Sequence, residues 1–189
     1  MANTRTVVAL IVGACAVVSA ACSSTEEGEP QTTRVTSAPK SESSTATTGE
    51  QPTASLSNID PCSLLSADEL SKYGTFPAGA PNNVGTARGC KFEKDTDSPT
   101  TDPNRVISVN LRDQQGIDDV QDLGQGIDRG EVEGRSYARV PGPGVCTIVI
   151  GVSQTSRVDV NTIATEGTEK SCEIADEVAA VVEPKLPQG

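Results

Sequence analysis

The chain has 189 residues, a net charge of −11 and no histidine. That leaves room for one ordinary domain and excludes Ser-His-Asp and Cys-His nucleophiles, histidine bases and every zinc site that needs imidazole. Aromatic residues make up only 2%, with no tryptophan, so a core must lean on Val, Ile and Leu and be modest in area, while the acidic excess, with no basic patch to offset it, argues against nucleic acid as a partner.

Residues 1–21 read as an export signal. Arg5 supplies a positive charge, and an apolar run follows over 7–18. A run of about a dozen fits a signal h-region and falls short of the roughly twenty that a spanning helix needs. Ser19, Ala20 and Ala21 then lead into Cys22. The stretch V-S-A-A-C-S-S resembles the lipobox of bacterial lipoproteins, with Ser19 standing where an aliphatic residue is usual. The resemblance implies cleavage after Ala21, a diacylglyceryl group on the Cys22 thiol and acylation of the new amine. Cys15, three residues after Val12, is the rival, but cleavage there leaves too short an apolar run and strands Ala16, Val17 and Val18 at the new terminus. An uncleaved anchor helix is the other alternative. Two acyl chains hold a protein on a bilayer far more firmly than one.

Residues 22–57 read as the lipidated cysteine and a Ser/Thr/Pro-rich tether, in which Val35 and Leu56 are the only large apolar side chains. Without a periodic apolar face, burial cannot offset the entropy of ordering, so the tether is expected to be disordered. It reaches roughly 30–35 Å as a flexible chain, and its Thr/Pro content suits O-glycosylation.

Residues 58–189 read as the folded domain, and acidic residues still outnumber basic ones there. Ser66 and Glu69 form a capping box for a helix closed by Gly74, with Leu65 and Leu70 as its hydrophobic staple. The period then changes to two. Arg88–Glu93 puts Cys90 and Phe92 on one face. Arg105–Arg112 puts Ile107, Val109 and Leu111 on one face, with Ser108 and Asn110 on the other. A polar loop over 95–104 joins the two. Ile117, Val120 and Leu123, spaced by three, predict a short helix over 117–123. Strands are expected over 135–140, Val145–Ser153 and 157–163, with Cys146, Ile148, Ile150 and Val152 together and Val158, Val160 and Thr162 together. A last helix over 169–183 carries an apolar stripe of Cys172, Ala175, Val178, Ala179 and Val182, and Pro184 and Pro187 stop it. The fold class is α+β: an antiparallel sheet of about five strands with helices packed on one face.

Setting Cys15 and Cys22 aside leaves Cys62, Cys90, Cys146 and Cys172. An even number in an oxidising compartment implies two disulfides, with three connectivities open. Cys62–Cys90 and Cys146–Cys172 is preferred, because each joins a helix start to a nearby strand over a similar span. Four-thiolate zinc is the rival, disfavoured by the absence of C-x-x-C.

The segments D-P-C-S-L-L-S-A-D-E-L, G-C-K-F, C-T-I-V-I and S-C-E-I-A-D-E-V-A-A-V-V-E-P-K-L-P, in that order over 60–187, resemble a large group of actinobacterial lipoproteins built on a domain of unknown function. Phe92 stands where that group often has Trp. The resemblance implies a compact two-disulfide domain at the outer face of the membrane and implies no activity. A looser likeness to extracellular sensor domains of actinobacterial kinases implies ligand binding.

Three constellations invite chemistry. The glycine-rich stretch over 124–130 has the wrong spacing for G-x-G-x-x-G and follows no strand, so it reads as a turn. Asp95, Asp97 and Asp102 lack the alternation and closing Glu of a calcium loop. Asp113, Asp118, Asp119 and Asp122 offer carboxylates for glycoside hydrolysis, or simply solvated charge. The reading is a non-enzymatic envelope lipoprotein that uses no cofactor or metal, meets the membrane through Cys22 and interacts with an envelope protein. The alternative is a sensory or carrier module with a small or lipidic ligand between sheet and helices. A carboxylate-dependent hydrolase comes third.

Overall fold

Alternating Ile107, Val109 and Leu111 make Arg105–Arg112 (β3) a strand with a buried apolar face. β3 sits near the middle of a seven-stranded antiparallel sheet. The others are β1 (Ala80–Pro81), β2 (Arg88–Glu93), β4 (Asp128–Val132), β5 (Arg135–Gly142), β6 (Val145–Ser153) and β7 (Ser156–Ala164), in the spatial order β1-β2-β3-β7-β6-β5-β4. The computed structural model describes residues 54–98 and 100–188. The export signal, Cys22 and the tether up to residue 53 lie outside the described residues.

One face of the sheet carries the core. Phe92, Ile107, Val109, Ile150, Val158 and Val160 are fully buried there. They meet α1 (Thr168–Val182), the single α-helix among the described residues, through Ile174, Ala175, Val178 and Val182, chiefly over β6 and β7. Both disulfides lie on this face. Cys146–Cys172 ties β6 to the first turns of α1, and Cys62–Cys90 ties the N-terminal segment to β2, across separations of 26 and 28 residues. The preferred pairing is the one present.

About five strands were expected and seven are found among the described residues. β1 and β4 have no alternating apolar residues, because both are exposed edges. β4 also takes over residues 128–130, the end of the stretch read as a turn. The helix expected after Ser66 is a 3-10 helix, Asp68–Tyr73. Its capping box is present, with the Ser66 N–H on Glu69 Oε2 at 2.9 Å and the Glu69 N–H on Ser66 Oγ at 3.4 Å. Six residues are too few for a stable ladder of i→i+4 bonds. The helix expected over 117–123 shrinks to one 3-10 turn, Ile117–Asp119. Asp119 takes the Gly116 N–H, while Asp122 Oδ1 accepts those of Gly124, Gln125 and Gly126. Aspartates that satisfy nearby backbone this way compete with helix. The spacing of three instead lays Ile117 and Val120 against Ala138, Val140 and Val149 on the other face of the sheet.

The ordered body also reaches back before Asn58. Leu56 is 2% exposed and belongs to the core. Arg88 holds its carbonyl at 2.9 Å and that of Ile59 at 2.7 Å. At the other end, buried Arg135 binds Glu183 Oε1, Gly151 O and Pro187 O, each at 2.9 Å. Lys185 crosses to Leu64 O at 2.9 Å and Glu69 Oε1 at 2.8 Å.

Candidate functional site

Among the described residues no α-helix covers the second face of the sheet; the 3-10 turn Ile117–Asp119 and Val120 pack over its β5–β6 half, and the residues of the face follow from the register. A row across β3, β7 and β6 reads Ser108, Asn161, Thr147; the next reads Asn110, Asp159, Val149; the third reads Arg112, Arg157, Gly151. On β5, Val140 and Ala138 stand beside Thr147 and Val149. The face is therefore polar over β3 and β7 and apolar over β5 and β6. Period-two alternation makes this unavoidable once the other face is committed to the core.

The polar half is organised around Asp159. Its two oxygens take Arg112 Nε at 2.7 Å and Arg157 Nε at 2.8 Å. Arg157 and Asp159 side chains are 7% and 9% exposed. Burial at that level requires the charges to be paired and hydrogen-bonded. The same guanidinium groups reach outward, Arg112 Nη1 to Gln115 Oε1 at 3.1 Å and Arg157 Nη1 to the Gly116 carbonyl at 2.7 Å. The cluster thus fixes the segment after β3 as a wall over the sheet. Asn161 donates to Thr147 Oγ1 at 2.8 Å and Asn110 to Ser108 Oγ at 3.2 Å. Asn110 Oδ1 is buried with no hydrogen-bond partner among the described residues.

Between wall and floor lies a groove of about 510 Å³, with Asp119, Val120, Gln121 and Leu123 along the wall and Val84 at the β1–β2 end. Two guanidinium groups share one carboxylate in its floor, and the Nη2 atoms of Arg112 and Arg157 make no hydrogen bond among the described residues. The groove can receive hydrogen-bond acceptors at one end and apolar groups at the other. A second hollow, of about 710 Å³, lies by the β4–β5 turn and the β6–β7 turn, against Glu133, Ser136, Gln154 and Thr155. Neither lies between the sheet and α1, where the core described above fills the space; the first lies between the sheet and the segment over 117–123 that was expected to be a helix.

The carboxylates singled out from sequence do not converge. Asp113 pairs with Arg88 at 2.9 Å, and this hydrogen bond raises the Arg88 pKa above its ordinary value. Asp118 is fully exposed, 3.9 Å from Arg129; Asp119 and Asp122 satisfy backbone N–H groups. Asp102 pairs with Lys94 at 2.6 Å, while the Asp95 N–H binds the Thr75 carbonyl. Among the described residues no three His, Cys, Asp or Glu side chains are placed to share a metal ion, and no helix is long and apolar enough to cross a membrane. Cys62, Cys90, Cys146 and Cys172 are all in disulfides. Cys22 lies outside the described residues.

Arg112, Arg157, Asp159 and Asn161 were not singled out from sequence. Their signal was present: charged and amide residues alternate with the core residues Val109, Leu111, Val158 and Val160 in the two strands.

A family model described as a protein of unknown function, DUF3558, matches residues 17–185. No curated protein and no solved structure matches the chain.

Proposed function

The chain belongs to the DUF3558 family of proteins of unknown function, and from that premise we propose that it is a lipid-anchored module of the cell envelope, without catalytic activity, that recognises an envelope protein with the face of its sheet opposite α1. Two disulfides support an oxidising compartment outside the cytoplasm. The match begins upstream of Cys22, which fits an anchor cysteine as part of the family's pattern. The absence of histidine and the dispersal of the aspartates onto separate structural partners support a binding role over hydrolysis.

The observation that carries the reading is the contrast between the two faces. One is sealed by α1 and two disulfides. The other carries a groove walled by the segment after β3, with buried polar groups already fixed in its floor, as a preorganised recognition surface requires. The test places a photo-crosslinking residue at Asn161 or Gln121 in the groove, or at Glu173 on the exposed side of α1, in cells. A discrete protein adduct is expected from the two groove positions and not from Glu173. Equal labelling from all three, or labelling from Glu173 alone, contradicts the reading.

A small ligand is the second reading, favoured by one observation. The groove volume lies within the range of small-molecule sites, and the two unpaired Nη2 atoms suit a carboxylate or phosphate group, with Val84, Val120 and Leu123 to meet an apolar portion. Native mass spectrometry of the full chain in detergent distinguishes it: a bound mass that disappears in Asn161→Trp supports a ligand in this groove.

A further inference from the structure

β4 forms one edge of the sheet, and all five of its residues are exposed. The opposite edge is blunted: β1 has two residues and ends in Pro81, which has no N–H to offer. β4 has neither protection.

The direction of its free backbone groups follows from its hairpin. Glu133 and Gly134, at φ 52° and 82°, form a two-residue turn with Val132 opposite Arg135. In a turn of this type the closing pair is hydrogen-bonded. Alternation then aims the N–H and C=O of Val132, Gly130 and Asp128 at β5, and those of Arg129 and Glu131 away from the sheet. The side chains of these two residues also lack cross-strand charge partners, since they face Ala138 and Ser136, whereas Asp128 faces Arg139. Arg129 donates from Nη1 to the Ile117 carbonyl at 3.0 Å and meets fully exposed Asp118 only at 3.9 Å, so its charge has no close carboxylate, and Glu131 makes no ion pair among the described residues.

We propose that β4 pairs antiparallel with β4 of a second copy of this chain, about a two-fold axis through Gly130, joining two sheets into one. In that register Arg129 stands opposite Glu131 of the second copy, and Glu131 opposite its Arg129. Both pairs are of the hydrogen-bonded kind, so the free N–H and C=O groups of each copy find partners. The charges oppose with the right sign on the same side of the sheet. Gly130 meets its own copy at the axis, and a Cβ there would touch nothing within its own chain. Other registers fail. A slip of one residue turns the outward groups of one strand against the inward groups of the other. A slip of two sets Arg129 against Arg129, or Glu131 against Glu131. This pairing goes beyond the proposed recognition surface and does not depend on it.

A strand of this length buries little beside a standard interface, so the association is weak in dilute solution and is best read by trapping it at the axis. Residues opposite each other in a non-hydrogen-bonded pair lie about 4.5 Å apart at Cα, within disulfide reach. Full-length Gly130→Cys, oxidised mildly in detergent, is expected to form a disulfide-linked dimer at least about ten-fold faster than Arg129→Cys or Glu131→Cys alone, whose Cα atoms lie out of reach of their own copies. Mixing Arg129→Cys with Glu131→Cys is expected to restore the cross-link. Charge gives a second readout. Adding Arg129→Glu or Glu131→Arg to Gly130→Cys is expected to slow dimer formation, and mixing the two charge variants to recover it. Equal rates for all three cysteine variants overturn the proposal. So does a charge-variant mixture no faster than its components, or cross-linking of Gly130→Cys in cells only to a different protein.

Discussion

Asp159 holds two guanidinium groups at once, and they in turn hold the wall of the groove. Removing one partner from a buried ionic cluster leaves uncompensated charge, which costs far more than the pair's net worth. Asp159→Ala is therefore expected to lower unfolding stability by about 3 kcal/mol, read as a shift in the urea midpoint. Asp118→Ala, at a fully exposed position, should leave the midpoint unchanged. Glu69 gives a prediction in pH. Its hydrogen bond to Lys185, opposed by partial burial, holds its pKa below the ordinary 4.5. A carboxylate with a lowered folded value contributes stability that is present above the unfolded value and is lost as pH falls through the folded one. Lys185→Met should thus lower the melting temperature at pH 7 and make the fall below pH 4.5 shallower than in the native chain. An unchanged acid limb would show that this pair is not coupled to folding. At the alkaline end, burial pushes the Tyr73 hydroxyl up to about 12 from 10.0. Its raised value means stability present below pH 10 and lost as pH rises toward 12. Tyr73→Phe should remove that dependence, followed by thermal melts at pH 9 and pH 11.

At the scale of elements, the sheet is strong where it is alternating and weak where it is an edge. α1 lies on β6 and β7 with an apolar stripe of small and branched residues and no aromatic side chain, so its attachment leans on Cys146–Cys172. Closing a loop of 26 residues should stabilise the chain by about 3–4 kcal/mol in the chain-entropy model. The double variant Cys146→Ala/Cys172→Ala is expected to lose about that much, with amides of α1 exchanging faster than those of β3. Equal protection of α1 with and without the bond would place its stability in packing alone. The strands legible in the sequence were those whose alternation records a buried face: Ile107, Val109 and Leu111, or Cys146, Ile148, Ile150 and Val152. The same rule hid β1 and β4, since an edge with both sides wet has no reason to alternate. Ile117, Val120 and Leu123 mimicked a helical stripe because an irregular segment held by Asp119 and Asp122 can also set every third residue on a sheet. The groove was illegible for a related reason. Arg112, Arg157 and Asp159 come from two strands far apart in the chain, and only the β3–β7 register brings them side by side.

At the scale of the whole molecule, the described residues form an acidic domain fastened separately near its first and last residues. Arg88, held by Asp113, anchors Leu56 and Ile59 at the start of the described domain, and Arg135 anchors Glu183 and Pro187 at its end. Fastening the incoming segment to β2, both through Arg88 and through Cys62–Cys90, lets the domain resist being pulled at its N-terminal end. That is the demand an anchor at Cys22 would place on it. With few aromatic side chains in the core, covalent staples supply what burial alone would leave short. Oxidation outside the cytoplasm and attachment through Cys22 are thus one claim. Intact mass spectrometry of the chain extracted from its native membrane, after alkylation without reduction, tests it directly. The account predicts a polypeptide beginning at Cys22, carrying diacylglyceryl and an amide-linked acyl chain, with no alkyl group added to Cys62, Cys90, Cys146 or Cys172. A chain still beginning at Met1 and free of lipid, or one alkylated at any of those four sulfurs, would contradict it.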